Sequence, residues 1–235
     1  MNFIEVTSFL WDGFVISLVI FAVTLLLGAP LGLPIAFCSM SKWKIVRAIS
    51  KTFVWIIRGV PLMLQIFIIY YLPGLLSDDG TIWKELSMSM TRSMGLNEYI
   101  AFGEFVAVLI AFIINYACYF SEIYRGGIES ISQGQYEAGY VLGLSKSQVF
   151  RKIILKQVIK RIVPPMSNEI ITLIKDTALA NCIAVTEIIY KANYLASDQQ
   201  LVWPIFYAGA FYLVFVGLLT IILGKVEKKL DYFKS

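Results

Sequence analysis

Lys175 and Asp176 stand side by side inside an otherwise apolar segment and are followed by Thr177 and Asn181. An isolated charge at that depth is costly, so such residues pair with one another or line a polar cavity. The helix that carries them is expected to break around Lys175-Asp176-Thr177. A broken helix presents free backbone groups and terminal dipoles that complement a small ligand bearing both charges. The competing reading is an ion pair that locks the broken helix to a neighbouring span. Two more polar side chains belong to the same question. Gln65 lies one turn beyond Pro61 and offers amide donors and an acceptor to a ligand, or a helix–helix hydrogen bond. Asn115 and Glu122 share a helix face by their spacing, with Asn115 the deeper of the two. Glu122, three residues before Arg125, reads as half of a helical salt bridge. Arg58 reads as a snorkelling interfacial anchor, and Glu187 falls near an outer mouth with no role assigned.

This is chemistry of recognition and not of bond breaking. The chain has no histidine, and no Gly-x-x-x-x-Gly-Lys-Ser/Thr loop to hold a nucleotide. Cys38, Cys118 and Cys182 are scattered through apolar stretches without metal-ligand spacing and read as small core residues. No nucleophile–base pairing is recognisable.

The elements that must position these residues are membrane helices. The composition is 58% hydrophobic and 15% charged, in long apolar runs. In lipid the backbone must satisfy its own polar groups, so the spans must be mostly helical. The expected architecture is an all-α integral membrane protein, one transmembrane domain over 1–235, with little room for a soluble domain. A removable signal peptide is not expected, because the first residues lack a basic region and a small-residue cleavage site. Five spans fit: 14–40, 53–76, 99–124, 164–190 and 203–226. Gly28, Pro30, Gly32 and Pro34 should kink the first or admit a close neighbour. The second is entered through Arg58-Gly59-Val60-Pro61. Pro164 and Pro165 open the fourth. The connection 77–98 carries the turn signal Asp78-Asp79-Gly80 and room for a short interfacial helix over 82–90.

Charge orients the chain. Basic residues crowd the first connection (Lys42, Lys44, Arg47, Lys51, Arg58), the third (Arg125, Lys146, Arg151, Lys152, Lys156, Lys160, Arg161) and the C-terminus (Lys225, Lys228, Lys229, Lys234). The alternate connections are poor in base. The positive-inside rule then places the N-terminus outside and the C-terminus in the cytoplasm. The net charge of +4 follows this topological pattern and does not point to nucleic acid.

The third connection contains Gln135-Tyr136-Glu137-Ala138-Gly139-Tyr140-Val141-Leu142-Gly143-Leu144-Ser145. Glu137 is expected in the first turn of a short helix over about 133–145, where a carboxylate favours the positive dipole end. Ala138 and Gly139 let a partner groove reach the backbone. Gly143 can take the left-handed conformation that ends the helix, and Ser145 can cap the next one with Gln148 at the capping-box position. Spacing alone equally allows an ordinary cytoplasmic helical hairpin.

This stretch resembles the EAA loop of ABC-importer permeases, the short coupling helix that docks on the ATPase subunit. It departs from the usual pattern at Gly139, where a second alanine is common, and at Lys156, where a proline is common. Arg58-Gly59-Val60-Pro61-Leu62-Met63-Leu64-Gln65, Ser121-Glu122-Ile123-Tyr124-Arg125-Gly126-Gly127-Ile128 and Lys175-Asp176-Thr177-Ala178-Leu179 resemble signatures of the polar amino acid permeases within that superfamily. The resemblance implies a type I ABC importer-like fold in the bacterial cytoplasmic (inner) membrane. It implies a permease subunit that translocates a polar amino acid, with no cofactor of its own. Its partners would be a second permease subunit, identical or paralogous, an extracytoplasmic solute-binding protein and an ATPase dimer that binds ATP and Mg. Glu137, Ala138, Gly139 and Gly143 would couple to the ATPase. Gln65, Asn115, Lys175, Asp176, Thr177 and Asn181 would line the substrate path. The rivals are an ion-coupled secondary amino acid transporter and a membrane scaffold or sensor subunit that transports nothing.

Overall fold

The structure, a computed structural model, describes residues 2–76, 82–93 and 102–230, and every regular element among them is helical. The Asp78-Asp79-Gly80 turn, the start of the third span at 99 and Lys234 lie outside the described residues.

Helix α1 (Phe3–Ser39) begins eleven residues before the expected span. Asn2 and Glu5 form a reciprocal capping box, with Asn2 Oδ1 accepting from the Glu5 amide at 2.9 Å and Glu5 Oε2 from the Asn2 amide at 3.0 Å. The extra turns bury Val6 and Leu10 against Ile188, Ala192 and Leu195. Pro30 and Pro34 lie within α1 without ending it. Gly32 makes the close approach: a Cβ there would fall 2.9 Å from Phe120 Cβ and 3.0 Å from the Ala117 carbonyl.

The expected second span is not one helix. It is α2 (Lys44–Gly59) and α3 (Leu62–Leu76), bent by 103°. Pro61 forces the break, because its ring disfavours the helical region for the residue before it, and Val60 is extended at φ −102°, ψ 131°. Next come α4 (Ile82–Ser93), which covers the short helix expected over 82–90, and α5 (Phe102–Glu129). The two meet at Gly103, where a Cβ would run into the Trp83 carbonyl. Helix α5 runs beyond its expected end at 124, held by Arg125 between Glu122 and Glu129, each at 2.6 Å.

Helix α6 (Gln133–Val141) is followed by α7 (Lys146–Val149), a π-helical segment (Phe150–Ile154) and α8 (Leu155–Asp176). Pro164 and Pro165 therefore lie inside a helix and do not open it. A 3₁₀ stretch (Thr177–Ile183) ends on left-handed Ala184 and leads to α9 (Ile188–Asp198) and α10 (Trp203–Leu230). The break thus falls where Lys175-Asp176-Thr177 predicts it.

By length and apolar character, α1, α5 and α10 can each cross a membrane, and the bent α2–α3 pair makes a fourth candidate. The segment expected as the remaining span, α8 and its 3₁₀ extension, carries Asn168, Glu169, Lys175 and Asp176. The main core joins α1, α3, α5, α8 and the 3₁₀ stretch around Ile20, Ile66, Phe112, Tyr116, Phe120 and Leu173. A smaller cluster, Ile131, Val149, Ile154 and Val158, sits beneath α6.

Candidate functional site

The corner between α2 and α3 opens on a cavity of ≈ 490 Å³ whose far wall is α5 and α8. Its polar lining is Arg58, Asn115, Tyr116, Tyr119, Glu169, Thr172 and Asp176. Glu169, Thr172 and Asp176 are spaced to share one face of α8, and Asn115 and Tyr119 one face of α5. Asp176 Oδ2 accepts a 2.7 Å hydrogen bond from the Tyr116 hydroxyl. On the opposite side the Arg58 guanidinium stacks 4.9 Å from the centre of the Tyr119 ring and lies 3.7 Å from Glu122 Oε2. Arg58, read from sequence as a snorkelling interfacial anchor, thus lines the cavity. Glu122 is already held in two-pronged fashion by Arg125, at 3.0 and 2.6 Å, so the helical salt bridge read from its spacing is present and Arg58 shares an engaged carboxylate.

Of the six expected path residues, the structure brings Asn115 and Asp176 to this cavity. Lys175 is exposed and outside its lining: neighbours on a helix are rotated by about 100°, so the adjacent charges diverge. Gln65 is buried as a corner brace. Its amide nitrogen donates to the carbonyls of Ile57 at 2.7 Å and Val60 at 2.8 Å, two acceptors left over where α2 ends. Its amide oxygen accepts from Asn115 at 3.2 Å, which ties the corner to the cavity wall. Thr177 is buried and donates to the Ile174 carbonyl at 2.7 Å. Asn181 is half-buried and outside the cavity lining. Sequence reasoning passed over Tyr116, Tyr119, Glu169 and Thr172. The seven-residue spacing of Glu169 and Asp176 was the available signal.

Glu187, given no role from sequence, is fully buried and caps α9, accepting from the Ile189 and Tyr190 amides at 2.9 and 2.7 Å. Gly13 lets α1 lie against that corner, since a Cβ there would be 2.9 Å from Ile188 backbone atoms.

The second site is α6. It starts at Gln133, so Glu137 falls in its second turn and gains little from the helix dipole, contrary to expectation. Glu137 and Ala138 are exposed, as are Tyr140, Val141 and Leu142. Gly139 faces inward: a Cβ would lie 2.7 Å from Val149 Cγ2, so its missing side chain serves packing within the chain rather than access for a partner. Gly143 has φ +74°, the left-handed turn expected of it. Ser145 and Gln148 form the capping box, with the Ser145 amide donating to Gln148 Oε1 at 2.9 Å. Gln157 on α8 donates to Gln135 Oε1 at 3.1 Å, and Arg161 donates to the Ser130 carbonyl. Helix α6 is therefore bonded to the element that carries Glu169 and Asp176.

Residues 28–232 match the family described as "Binding-protein-dependent transport system inner membrane component". Among curated proteins, the chain is 34% identical over 210 residues to the L-cystine transport system permease protein TcyB of Bacillus subtilis, covering 88% of this chain and 80% of that one. It is 32% identical over 225 residues to the arginine transport system permease protein ArtQ of the same organism, covering 94% and 92%. Among solved structures, it superposes on an amino acid ABC transporter crystallised with histidines at a TM-score of 0.78 and 26% identity, covering 97% of this chain and 99% of that one. The methionine ABC transporter MetNI shares the fold at a TM-score of 0.64 and 14% identity, covering 98% and 100%.

Proposed function

The chain belongs to the family of binding-protein-dependent transport system inner membrane components, and from that membership we propose that it is the permease subunit through which a polar amino acid is imported. It is an ABC importer permease for amino acids, a multi-pass inner-membrane protein whose ATP hydrolysis is supplied by separate subunits. The proposed assembly has two ATPase subunits that bind ATP and Mg, a second permease subunit, identical or paralogous, and an extracytoplasmic solute-binding protein. The N-terminus lies outside and the C-terminus in the cytoplasm, so α6 meets the ATPase.

The observation that carries this reading is the bonded path from α6 through α8 to the cavity. Closure of the ATPase dimer displaces α6, and α8 transmits that displacement to Glu169 and Asp176. The cavity presents a carboxylate pair to an ammonium group and Arg58 to a carboxylate, with Asn115 and Thr172 as neutral partners. That complements a zwitterion and selects no particular side chain. Alternating exposure of the cavity to the two sides of the bilayer completes the cycle.

The test is ATP hydrolysis by the reconstituted complex, with ATPase and binding protein, against a panel of amino acids. Stimulation by one amino acid class carries the reading. An assembled complex that no amino acid stimulates redirects it to another solute.

A further inference from the structure

Helix α2 has three distinct faces. Ser50 and Val54 seat it on the chain: Ser50 Oγ donates to the Ile35 carbonyl at 3.2 Å and lies 2.8 Å from Ser39 Oγ, and Val54 is buried. Lys44, Arg47 and Lys51 recur at the spacing of one helical stripe, are all exposed, and have no salt-bridge partner among the described residues. Ile45, Ile49, Phe53 and Ile56 form a second exposed stripe, apolar, rotated by nearly half a turn from the first. Trp43, at the start of the helix, is 76% exposed and Trp55 is 74% exposed, the residue type that settles at the level of lipid headgroups.

A helix of 16 residues is about 24 Å long, short of the roughly 30 Å hydrocarbon core, and its basic stripe makes burial across that core costly. The 103° bend at Gly59–Pro61 turns it away from the direction of α3. We propose that α2 lies in the plane of the cytoplasmic headgroup layer, with Ile45, Ile49, Phe53 and Ile56 in the acyl region and Lys44, Arg47 and Lys51 binding anionic phospholipid headgroups. This rests on the reading that the first connection is cytoplasmic. Basic residues on an amphipathic helix at that surface attract anionic lipid, and the apolar stripe holds them at headgroup depth. Because the end of α2 carries Arg58 into the cavity, the lipid surface also sets the position of one cavity wall.

The experiment is lipid selectivity of the assembled complex, measured by electron paramagnetic resonance with spin-labelled phosphatidylglycerol against spin-labelled phosphatidylcholine. Wild type prefers phosphatidylglycerol, and the preference shrinks as salt rises. K44Q/R47Q/K51Q loses it, by about fivefold for each charge removed. K44R/R47K/K51R keeps it, which separates charge from folding. A glutamine variant that retains the full preference overturns the proposal. So does one that keeps the preference but no longer holds the ATPase, since the stripe is then a protein contact. If no ATPase binds even wild type, the transport reading fails while the lipid preference still stands or falls by itself.

Discussion

The hydroxyl of Tyr116 on α5 donates a 2.7 Å hydrogen bond to Asp176 at the last position of α8. That bond joins two walls of the cavity at the point where the α-helix gives way to a 3₁₀ stretch. It fixes the carboxylate that a substrate ammonium would meet, while one of its oxygens remains for the ligand.

Asp176→Asn should therefore reduce amino acid uptake while leaving the ATPase attached, because the fold at this position needs an acceptor and the substrate needs a charge. Tyr116→Phe should lose about tenfold in uptake, the scale of one charge-assisted hydrogen bond. Uptake in proteoliposomes alongside co-purification of the ATPase measures both. Unchanged transport in Asp176→Asn would demote the residue to a structural role.

Adjacent residues on α6 should separate packing from docking. Gly139→Val forces side-chain atoms into Val149 and should cost about 1–3 kcal/mol of stability, the usual range for overpacking. Ala138→Val is exposed and should change stability by less than about 0.5 kcal/mol while weakening ATPase attachment. Thermal unfolding and co-purification read the two effects apart. The idea fails if both variants are equally destabilised.

Gln65→Leu should loosen the α2–α3 corner. It strips the Ile57 and Val60 carbonyls of their donor and Asn115 of its acceptor, at about 1–3 kcal/mol for each group left buried and unpaired. Denaturation midpoints in detergent measure it. A variant as stable as wild type would mean that the corner is held by Pro61 alone.

Glu187→Ala should leave the Ile189 and Tyr190 amides without a cap and cost about 0.5–2 kcal/mol. Hydrogen exchange should quicken first at the start of α9. Protection there identical to wild type would remove the capping role.

What was legible in the sequence was local. Gly143 and the Ser145–Gln148 box could be read because a left-handed turn and a capping box involve residues within three positions of each other. The break at Thr177 was legible for a similar reason, as charge interrupts an apolar run. What failed depended on rotation or on distant partners. Lys175 and Asp176 look like a pair in one dimension, but one helical step separates their directions. Gly139 looks like open backbone until Val149 folds against it. The place of Arg58 in the cavity depends on the Pro61 bend that turns it toward Tyr119, and Gln65 reads as a site residue until the same bend leaves carbonyls for it to satisfy. The cap made by Glu187 is also local, but glutamate is not among the preferred capping residues, and its burial beside Ser17 of α1 and Tyr212 of α10 is announced by no local pattern.

The central claim is that motion at α6 is coupled to the cavity through α8. Its most direct test is amino acid-stimulated ATP hydrolysis by the complex in liposomes, comparing wild type with Glu137→Arg. The account predicts stimulation by an amino acid in wild type, and loss of both ATPase attachment and stimulation in a variant whose helices remain folded. Full stimulation in Glu137→Arg, or uptake by this chain with no ATPase present, would contradict it.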